Sequence, residues 1–370
     1  MPSMSPMQRA LELARQAVGF SSPNPPVGAV LVRDGEMVGE GRTQPSGQAH
    51  AEIEALAMAG GRARGATIYV TLEPCNHQGR TGPCTEAIIA AGVVEVHASI
   101  SDPSPNINGS GFDRLREAGI AVKVGESSDE AAELAEPHAR YISTGLPLVT
   151  AKFAISLDGK IATRSGESRW ISGVESRLYT HELRAASDAI LAGIETVVVD
   201  DPQLSARDAD GKALPRQPVR VIIDSRGRMP SDARVLSEPG TTLVAIATND
   251  PRVHERLNEL GVEALHLPGD DGRVDLAGLI KALGQREMTS VFIEGGGTVL
   301  GSMFDLGLID KVVAFVAPMI IGGASAPGPV NGLGAERMAD VLRLNRVKVL
   351  RFGDDVAVTG YARGGDSAAG

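Results

Sequence analysis

His50, Glu52, Cys75 and Cys84 are the residues of this sequence whose types and order are best suited to chemistry. One imidazole and two thiols make a ligand set for zinc, which in catalytic sites takes three protein ligands and keeps a fourth position for water. Glu52 follows His50 by two positions, so it can lie beside the metal without binding it. A carboxylate placed there can take a proton from water and hand it on to a substrate. Each cysteine follows a proline, in Pro74-Cys75 and Pro83-Cys84. Helix N-termini and the metal itself both favour the thiolate form that such ligands need. An isolated His or Cys is usually core material. Three ligands and a carboxylate, each at the end of an expected element, reverse that weighting.

The elements that must hold these groups are legible as alternation. Helix-forming residues fill 51–59 directly after His50, and Gly60-Gly61 ends them. Ala66–Leu72 reads as a buried strand leading to Pro74-Cys75, and Thr85–Ala91 as the helix opened by Cys84. Upstream, Leu11, Ala14, Ala17 and Val18 give helical spacing over 7–18. Val27–Val32 is an apolar run, Asp34-Gly35 a hairpin signal and Met37-Val38 the return strand. A strand at Val93–Ile100, a helix at 111–118 and a strand at Ile120–Val124 complete a layered α/β domain. A helical segment from Asp129 to Ser143 then meets Thr144-Gly145-Leu146-Pro147, which marks a boundary near 145. The expected domains are 1–145 and 146–364, with a frayed tail at 365–370.

The second half restarts the alternation with strands at Leu148–Ile155, Ala189–Ala192, Val219–Ile223, Thr242–Ala247, Val291–Ile293 and Val312–Val316. Strand Ser290–Glu294, the turn Gly295-Gly296-Gly297 and a helix from Thr298 to Leu306 form a phosphate cradle, because bare backbone lets N–H groups approach an anion. It is not the Rossmann fingerprint, which would need Gly or Ala where Leu300 stands. Taken alone, a tight strand-to-helix turn explains those glycines equally well. The polar, proline-broken stretch 200–217 reads as a long functional or mobile loop.

Composition bounds what remains. At 370 residues the chain suggests two domains or three, and 42% hydrophobic against 22% charged residues excludes global disorder. Its 36 basic and 46 acidic residues leave a net charge of −10, which argues against a nucleic-acid binder. An anionic small substrate would need clustered Arg or Lys to hold it. Two cysteines cannot staple such a chain, so a reducing, cytoplasmic location is expected. Aromatics are only 3%, with Trp170 the sole tryptophan, so base-stacking platforms are not a theme. No apolar run approaches the ~18–20 residues of a membrane span, and no secretory leader is expected at the N-terminus.

The first half carries a resemblance. Zinc deaminases use an H-x-E…P-C-x-x-C signature; here eight residues, Asn76 to Pro83, separate the cysteines. Pro23-Asn24-Pro25-Pro26-Val27-Gly28-Ala29-Val30, His50-Ala51-Glu52 and the run from Thr71-Leu72-Glu73-Pro74-Cys75 to Thr81-Gly82-Pro83-Cys84 resemble the deaminase half of the bifunctional riboflavin-biosynthesis deaminase–reductases, where the long inter-cysteine loop is usual. The resemblance implies a cytidine-deaminase-like α/β/α layered domain with one zinc ion per chain. It also implies hydrolytic removal of an amine from a diaminopyrimidinone that carries a phosphoribosylamino group. By it, Asn24, His77, Arg80 and Thr81 become substrate contacts, Arg80 suiting a phosphate. Thr43 stands where that family commonly has histidine, and Gly82 where it has proline.

The second half is similar to the reductase half of the same family. The similarity rests on Lys152-Phe153-Ala154-Ile155-Ser156-Leu157-Asp158-Gly159-Lys160, Gly166–Ser172, Arg184, Gly193–Val197 and Asp200–Arg207. It implies a dihydrofolate-reductase-like α/β domain using NADPH, which converts the ribosyl group to ribityl by hydride delivery to the anomeric carbon. Ala154, Trp170, Thr196, Asp200, Ser225 and the turn Gly296, Gly297, Thr298, Val299, Leu300, Gly301 and Ser302 would line the cofactor. Ser168, Arg184, Leu204, Arg207 and Glu294 would hold the substrate, the two arginines clamping its phosphate. Lys152 is a candidate proton donor by position. Arg169 and Glu136-Pro137-His138 depart from the family's usual pattern. The implied partners are a phosphorylated pyrimidine and further copies of the chain, as dimer or tetramer, with no nucleic acid or membrane. The competing reading is a nucleoside or tRNA-type zinc deaminase fused to a small-molecule binding domain without reductase activity; oxidation of NADPH separates the two.

Overall fold

The computed structural model describes residues 4–78, 82–104 and 107–362, and the chain divides into two units, Met1–Leu146 and Pro147–Gly370. In the first unit α1 (Pro6–Ala17) leads to β1 (Gly28–Arg33) and β2 (Glu36–Arg42), then α2 (Ala51–Ala59) and β3 (Thr67–Val70). There follow α3 (Cys84–Ala91), β4 (Glu95–Ala98), α4 (Ser110–Glu117), β5 (Ala121–Val124) and α5 (Ser128–Thr144). The five strands form one sheet in the order β2-β1-β3-β4-β5. The β1–β2 and β1–β3 pairs are antiparallel, while β3–β4 and β4–β5 are parallel. Helices cover the sheet around a core that includes Leu31, Ile68, Val96, Ile88 and Leu115.

Local chemistry sets the ends of these elements. Ser5 caps α1 by accepting from Gln8 N, and the Gln8 side chain accepts from Ser5 N in return, with Pro6 in the first turn. That capping box lies in plain view in Ser5-Pro6-Met7-Gln8, though the apolar spacing alone led to this helix. Gly39 and Gly41 on β2 decide how close α2 can come. A Cβ at Gly41 would stand 2.4 Å from Ala51 O, and one at Gly39 2.3 Å from Ala55 O. Only glycine lets the first turn of α2 rest on the strand. One detail was not expected: the chain past α2 continues through a 3-10 turn at Gly60–Ala63. α5 runs through Pro137 without a break, as the helix expected over Asp129–Ser143 requires.

The second unit contains β6 (Leu148–Ser156), α6 (Val174–Ala186), β7 (Ala189–Gly193), α7 (Ile194–Asp200), β8 (Val219–Ile223), α8 (Arg234–Ser237) and β9 (Thr242–Ile246). It continues with α9 (Pro251–Glu259), β10 (Glu263–His266), α10 (Leu276–Gln285), β11 (Ser290–Glu294) and α11 (Gly297–Asp305). β12 (Lys311–Ala317), β13 (Asn345–Phe352) and β14 (Asp355–Tyr361) close it. All nine strands share a sheet in the order β10-β9-β8-β7-β11-β6-β12-β14-β13. It is parallel except for the β12–β14 and β14–β13 pairs. The inner strands β7 and β9 are buried along their whole length, as parallel strands covered on both faces must be.

The stretch 200–217 is not a loose loop. Gln217 accepts from Ala206 N at 2.8 Å and donates to Ala206 O at 2.8 Å and Leu214 O at 2.7 Å, so its side chain pins the segment like a strand partner. The expected tail at 365–370 lies outside the described residues, as do Arg80 and Thr81. No helix among the described residues is long and apolar enough to cross a membrane.

Candidate functional site

In the first unit three loop ends deliver the chemistry to one point. His50 is the cap residue of α2, Cys84 the first residue of α3, and Cys75 lies beyond the end of β3. His50 Nδ1 stands 3.6 Å from Cys75 Sγ and 3.3 Å from Cys84 Sγ, and the three ligand atoms all lie within 4.8 Å of one another. Tetrahedral zinc with metal–sulfur bonds of about 2.3 Å and metal–nitrogen bonds of about 2.0 Å would separate N from S by about 3.5 Å. The observed spacing therefore fits zinc. The Cys84 backbone N–H points at Cys75 Sγ at 3.4 Å, so the start of α3 offers its positive end to that thiolate.

The charges agree with this use. Hydrogen bonding from Cys84 and from His50 draws the Cys75 thiol down to about 4, while the same contact and burial push Cys84 upward. Cys75 in turn raises the basicity of His50. Glu52 is buried in the first turn of α2, and burial, with the neighbouring Cys75 charge, pushes its carboxyl up to about 7. A carboxyl that can both hold and release a proton near neutrality is what a proton shuttle requires.

The groups around this centre are held by the surrounding loops. Asn24 accepts from the Ser21 hydroxyl through its carbonyl at 3.0 Å and donates its N–H to Ser21 O at 2.9 Å. Thr43 is buried, and its hydroxyl oxygen accepts from Val27 N at 3.1 Å, so it braces the start of β1. Asn76 is tied to Thr85 and to Ser110 O. His77, the next residue in the chain, is exposed. Sequence reading assigned no part to Glu73 or Asp102. Glu73 is buried and accepts from the N–H groups of Asp102, Gly109 and Gly111, which fixes the loop after β4. Its place in Thr71-Leu72-Glu73-Pro74-Cys75 was visible, but nothing in spacing says that a carboxylate faces three amides.

The second unit gathers its own cluster at the middle of β6 and the end of β11. Glu294, at the end of β11, takes a two-pronged ion pair from Arg184 of α6, through Nε to Oε1 and through Nη2 to Oε2 at 2.9 Å. Lys152 Nζ lies 4.0 Å from Glu294 Oε2, and both side chains are little exposed, at 15% and 12%. Burial opposes the Glu294 charge, yet Arg184 and Lys152 hold its carboxyl below the usual range. Burial and Arg184 together lower the Lys152 ammonium, which makes it a readier acid. Arg184 Nη1 donates to Ser205 O at 3.0 Å, and Arg207 Nε donates to Ser205 Oγ at 3.0 Å. The two arginines therefore meet at Ser205, each already opposed by a carboxylate, since Arg207 Nη2 also donates to Glu238 at 2.6 Å. His181 shares the same carbonyl at 3.2 Å. Ser205, Glu238 and His181 were not singled out from sequence.

Other expected contacts are distributed as follows. Ser168 Oγ donates to Asp200 Oδ1 at 3.1 Å, joining a residue expected on the substrate to one expected on the cofactor. Arg169 donates to the Asp200 carbonyl. Trp170 is 67% exposed, with the Arg177 guanidinium 4.8 Å above its ring. Leu204 is buried in the core with a left-handed backbone, so only its main chain can meet a ligand. Ala154 pairs with Phe315 across β6 and β12, and Ser225 Oγ accepts from Val274 N at 3.1 Å. At the glycine turn, Gly296 and Thr298 are exposed, and Thr196 Oγ1 is the nearest atom to a Cβ placed on Gly296, at 3.9 Å. Val299 and Ser302 are half-buried. The bare faces of Gly297 and Gly301 are taken by Asn331 and its neighbours, while Leu300 is wholly core. Close chain packing accounts for those two glycines, in place of the open approach that their sequence suggests.

Comparison with known proteins covers both units. Residues 147–358 match the RibD C-terminal domain family, and residues 3–100 match the cytidine and deoxycytidylate deaminase zinc-binding region. The chain is 41% identical to the riboflavin biosynthesis protein RibD of Escherichia coli over 361 residues, 95% of this chain and 97% of that one. Among solved structures it is similar to Acinetobacter baumannii RibD, with a TM-score of 0.83, 40% identity and coverage of 96% of this chain and 97% of the other. It is also similar to a Thermotoga maritima diaminohydroxyphosphoribosylaminopyrimidine deaminase/5-amino-6-(5-phosphoribosylamino)uracil reductase, with a TM-score of 0.81, 34% identity and the same coverages. A reductase-type second half favours the two-activity reading over a deaminase fused to a mere binding domain. With a zinc deaminase centre in one unit, a reductase fold in the other and relatives matched over nearly their whole length, the chain belongs to the RibD family of bifunctional deaminase–reductases of riboflavin biosynthesis.

Proposed function

We propose that the chain performs two consecutive steps on one phosphorylated pyrimidine. The first unit hydrolyses the exocyclic amine of a diaminopyrimidinone ribosyl phosphate, and the second uses NADPH to reduce the ribosyl group of that product to ribityl. The observation that carries the first step is the convergence of His50, Cys75 and Cys84 beside a buried Glu52. Zinc, when bound, acts as a Lewis acid that acidifies water at its open position. Glu52 takes up that proton and passes it to the ring nitrogen, then carries the remaining proton of the added hydroxyl to the departing amine. Asn24 and His77, with Arg80 and Thr81, hold the substrate, and Arg80 takes its phosphate.

In the second unit NADPH supplies the hydride. Lys152 donates a proton as the ribosyl ring opens, supported by its burial beside Glu294. Arg184 and Arg207 anchor the phosphate around Ser205, with Ser168, Glu294 and the Leu204 main chain completing the substrate site. Ala154, Trp170, Thr196, Asp200 and Ser225 line the cofactor together with the accessible part of the glycine turn, Gly296 and Thr298, and the half-buried Val299 and Ser302. A guanidinium already paired with a carboxylate is oriented before the anion arrives, which limits the entropy lost on binding.

The chain works in the cytoplasm as a homo-oligomer, a dimer or tetramer. Support for assembly comes from β13, an edge strand of the nine-stranded sheet whose Val347 and Val349 are 50% and 67% exposed. The deciding experiment is a stepwise assay of the purified chain with and without a zinc chelator. Chelation should abolish deamination and leave NADPH oxidation with the deaminated product intact. A chain that deaminates yet never oxidises NADPH would overturn the two-step reading.

A further inference from the structure

His138 lies within α5 of the first unit, in the segment Glu136-Pro137-His138. Its Nδ1 stands 3.1 Å from Pro23 O, the carbonyl that immediately precedes Asn24. The loop between α1 and β1 contains Pro23, Pro25 and Pro26, none of which has an N–H to donate. Such a loop must be held largely through its carbonyls. The Ser21 hydroxyl takes the carbonyl of Asn24, and His138 takes the one before it. A carbonyl can only accept, so Nδ1 must carry the proton of the neutral ring.

The surroundings keep the ring neutral and in place. Burial lowers the basicity of His138, while Pro23 O and the nearby Asp102 carboxylate act the other way. Asp102 is itself held, its carboxylate accepting from Ser104 N at 2.8 Å and its N–H donating to Glu73 at 3.0 Å. His138 itself belongs to α5, whose Ala131 and Ala135 are buried in the unit, so the far side of the hydrogen bond is anchored.

We propose that His138 is a positioning residue for deamination: its Nδ1–H···O=C bond to Pro23 fixes the proline-rich loop so that Asn24 is presented to the pyrimidine. This rests on the reading of Asn24 as a substrate contact. Losing one such bond leaves the loop folded but lets Asn24 wander, a cost in substrate binding more than in proton transfer at Glu52.

The test compares His138→Phe, which keeps a ring and removes the donor, with His138→Asn, whose amide nitrogen can replace Nδ1. In the Phe variant KM for the deaminase substrate should rise roughly 5- to 30-fold, the worth of one buried hydrogen bond, with kcat little changed. Zinc content and the reductase step should match the native chain, and the Asn variant should recover most of the lost affinity. Equal behaviour of the two variants, or a loss confined to kcat, would overturn the proposal. Asn24→Ala separates its premise: an unchanged KM there removes the reading of Asn24 itself, whereas a raised KM with a native-like Phe variant overturns His138 alone. Imidazole ¹⁵N shifts in the native chain give a readout that needs no variant. A ring protonated at Nδ1 supports the proposal, and one protonated only at Nε2 overturns it.

Discussion

Glu52 is buried at the first turn of α2, within reach of two thiols and an imidazole, and its carboxyl is poised near neutrality by that burial. Glu52→Gln keeps the shape and removes only the ability to carry a proton. Deamination should fall about 10²–10⁴-fold, the usual worth of general acid–base catalysis. Zinc content measured by elemental analysis should stay at its native level, and reduction of deaminated substrate should continue. A variant that still deaminates at the native rate would remove Glu52 from the mechanism. The residue types of this centre could be read from the chain because ligand chemistry restricts them to a few side chains. The partners that hold them could not: Glu73 faces three amides only because β3 and the loop after β4 lie side by side.

At the scale of elements, the turn after β6 latches a distant segment. Asp158 accepts from Ser156 Oγ at 2.7 Å, from Ile321 N at 3.0 Å and from Gly322 N at 2.8 Å, and Lys160 Nζ donates to Ala326 O at 3.1 Å. The Ser156 hydroxyl first, and then the two amides, draw the Asp158 carboxyl down to about 2. A depressed carboxyl contributes stability that is complete above its unfolded value and is lost as pH falls through the folded one. The latch should therefore hold at neutral pH and release between about pH 4 and pH 2. Amide exchange at Ile321 and Gly322 should accelerate across that window in the native chain, relative to its intrinsic rate. In Asp158→Asn the two amides should be faster already at neutral pH. Flat protection factors through the window would refute the latch. The β-strands of the parallel core followed from their continuous apolar runs, whereas β13 and β14 escaped notice. β13 is exposed on both faces, so no burial pattern marks it, and its identity as a strand comes from pairing with β14.

At the scale of the molecule, two units carry two chemistries, and the exposed edge bears on the proposed assembly of copies. Val347 and Val349 of β13 leave apolar surface and an unpaired backbone edge in water. Replacing both with lysine should reduce the particle mass in sedimentation by about half or more if that edge is an isologous contact between copies. Deamination by the first unit should persist in the smaller particle. A native chain that sediments as a monomer at micromolar concentration would refute the homo-oligomer.

The sequence by itself determined the His50, Cys75 and Cys84 group that can hold zinc, the carboxylate beside it, the alternating α/β pattern of both halves and the family. Each of these is written in residue type, short spacing or continuous periodicity, and each survives without knowledge of what the chain touches far away. Tertiary structure alone decided which charges meet. Arg184 and Glu294 are 110 positions apart and form one ion pair because α6 packs beside the end of β11. It also decided that Gly297 and Gly301 make room for Asn331, and that His138 reaches back 115 positions to Pro23. Contacts of that range depend on the sheet order and on helix docking, which bring the partners together only after the chain has folded.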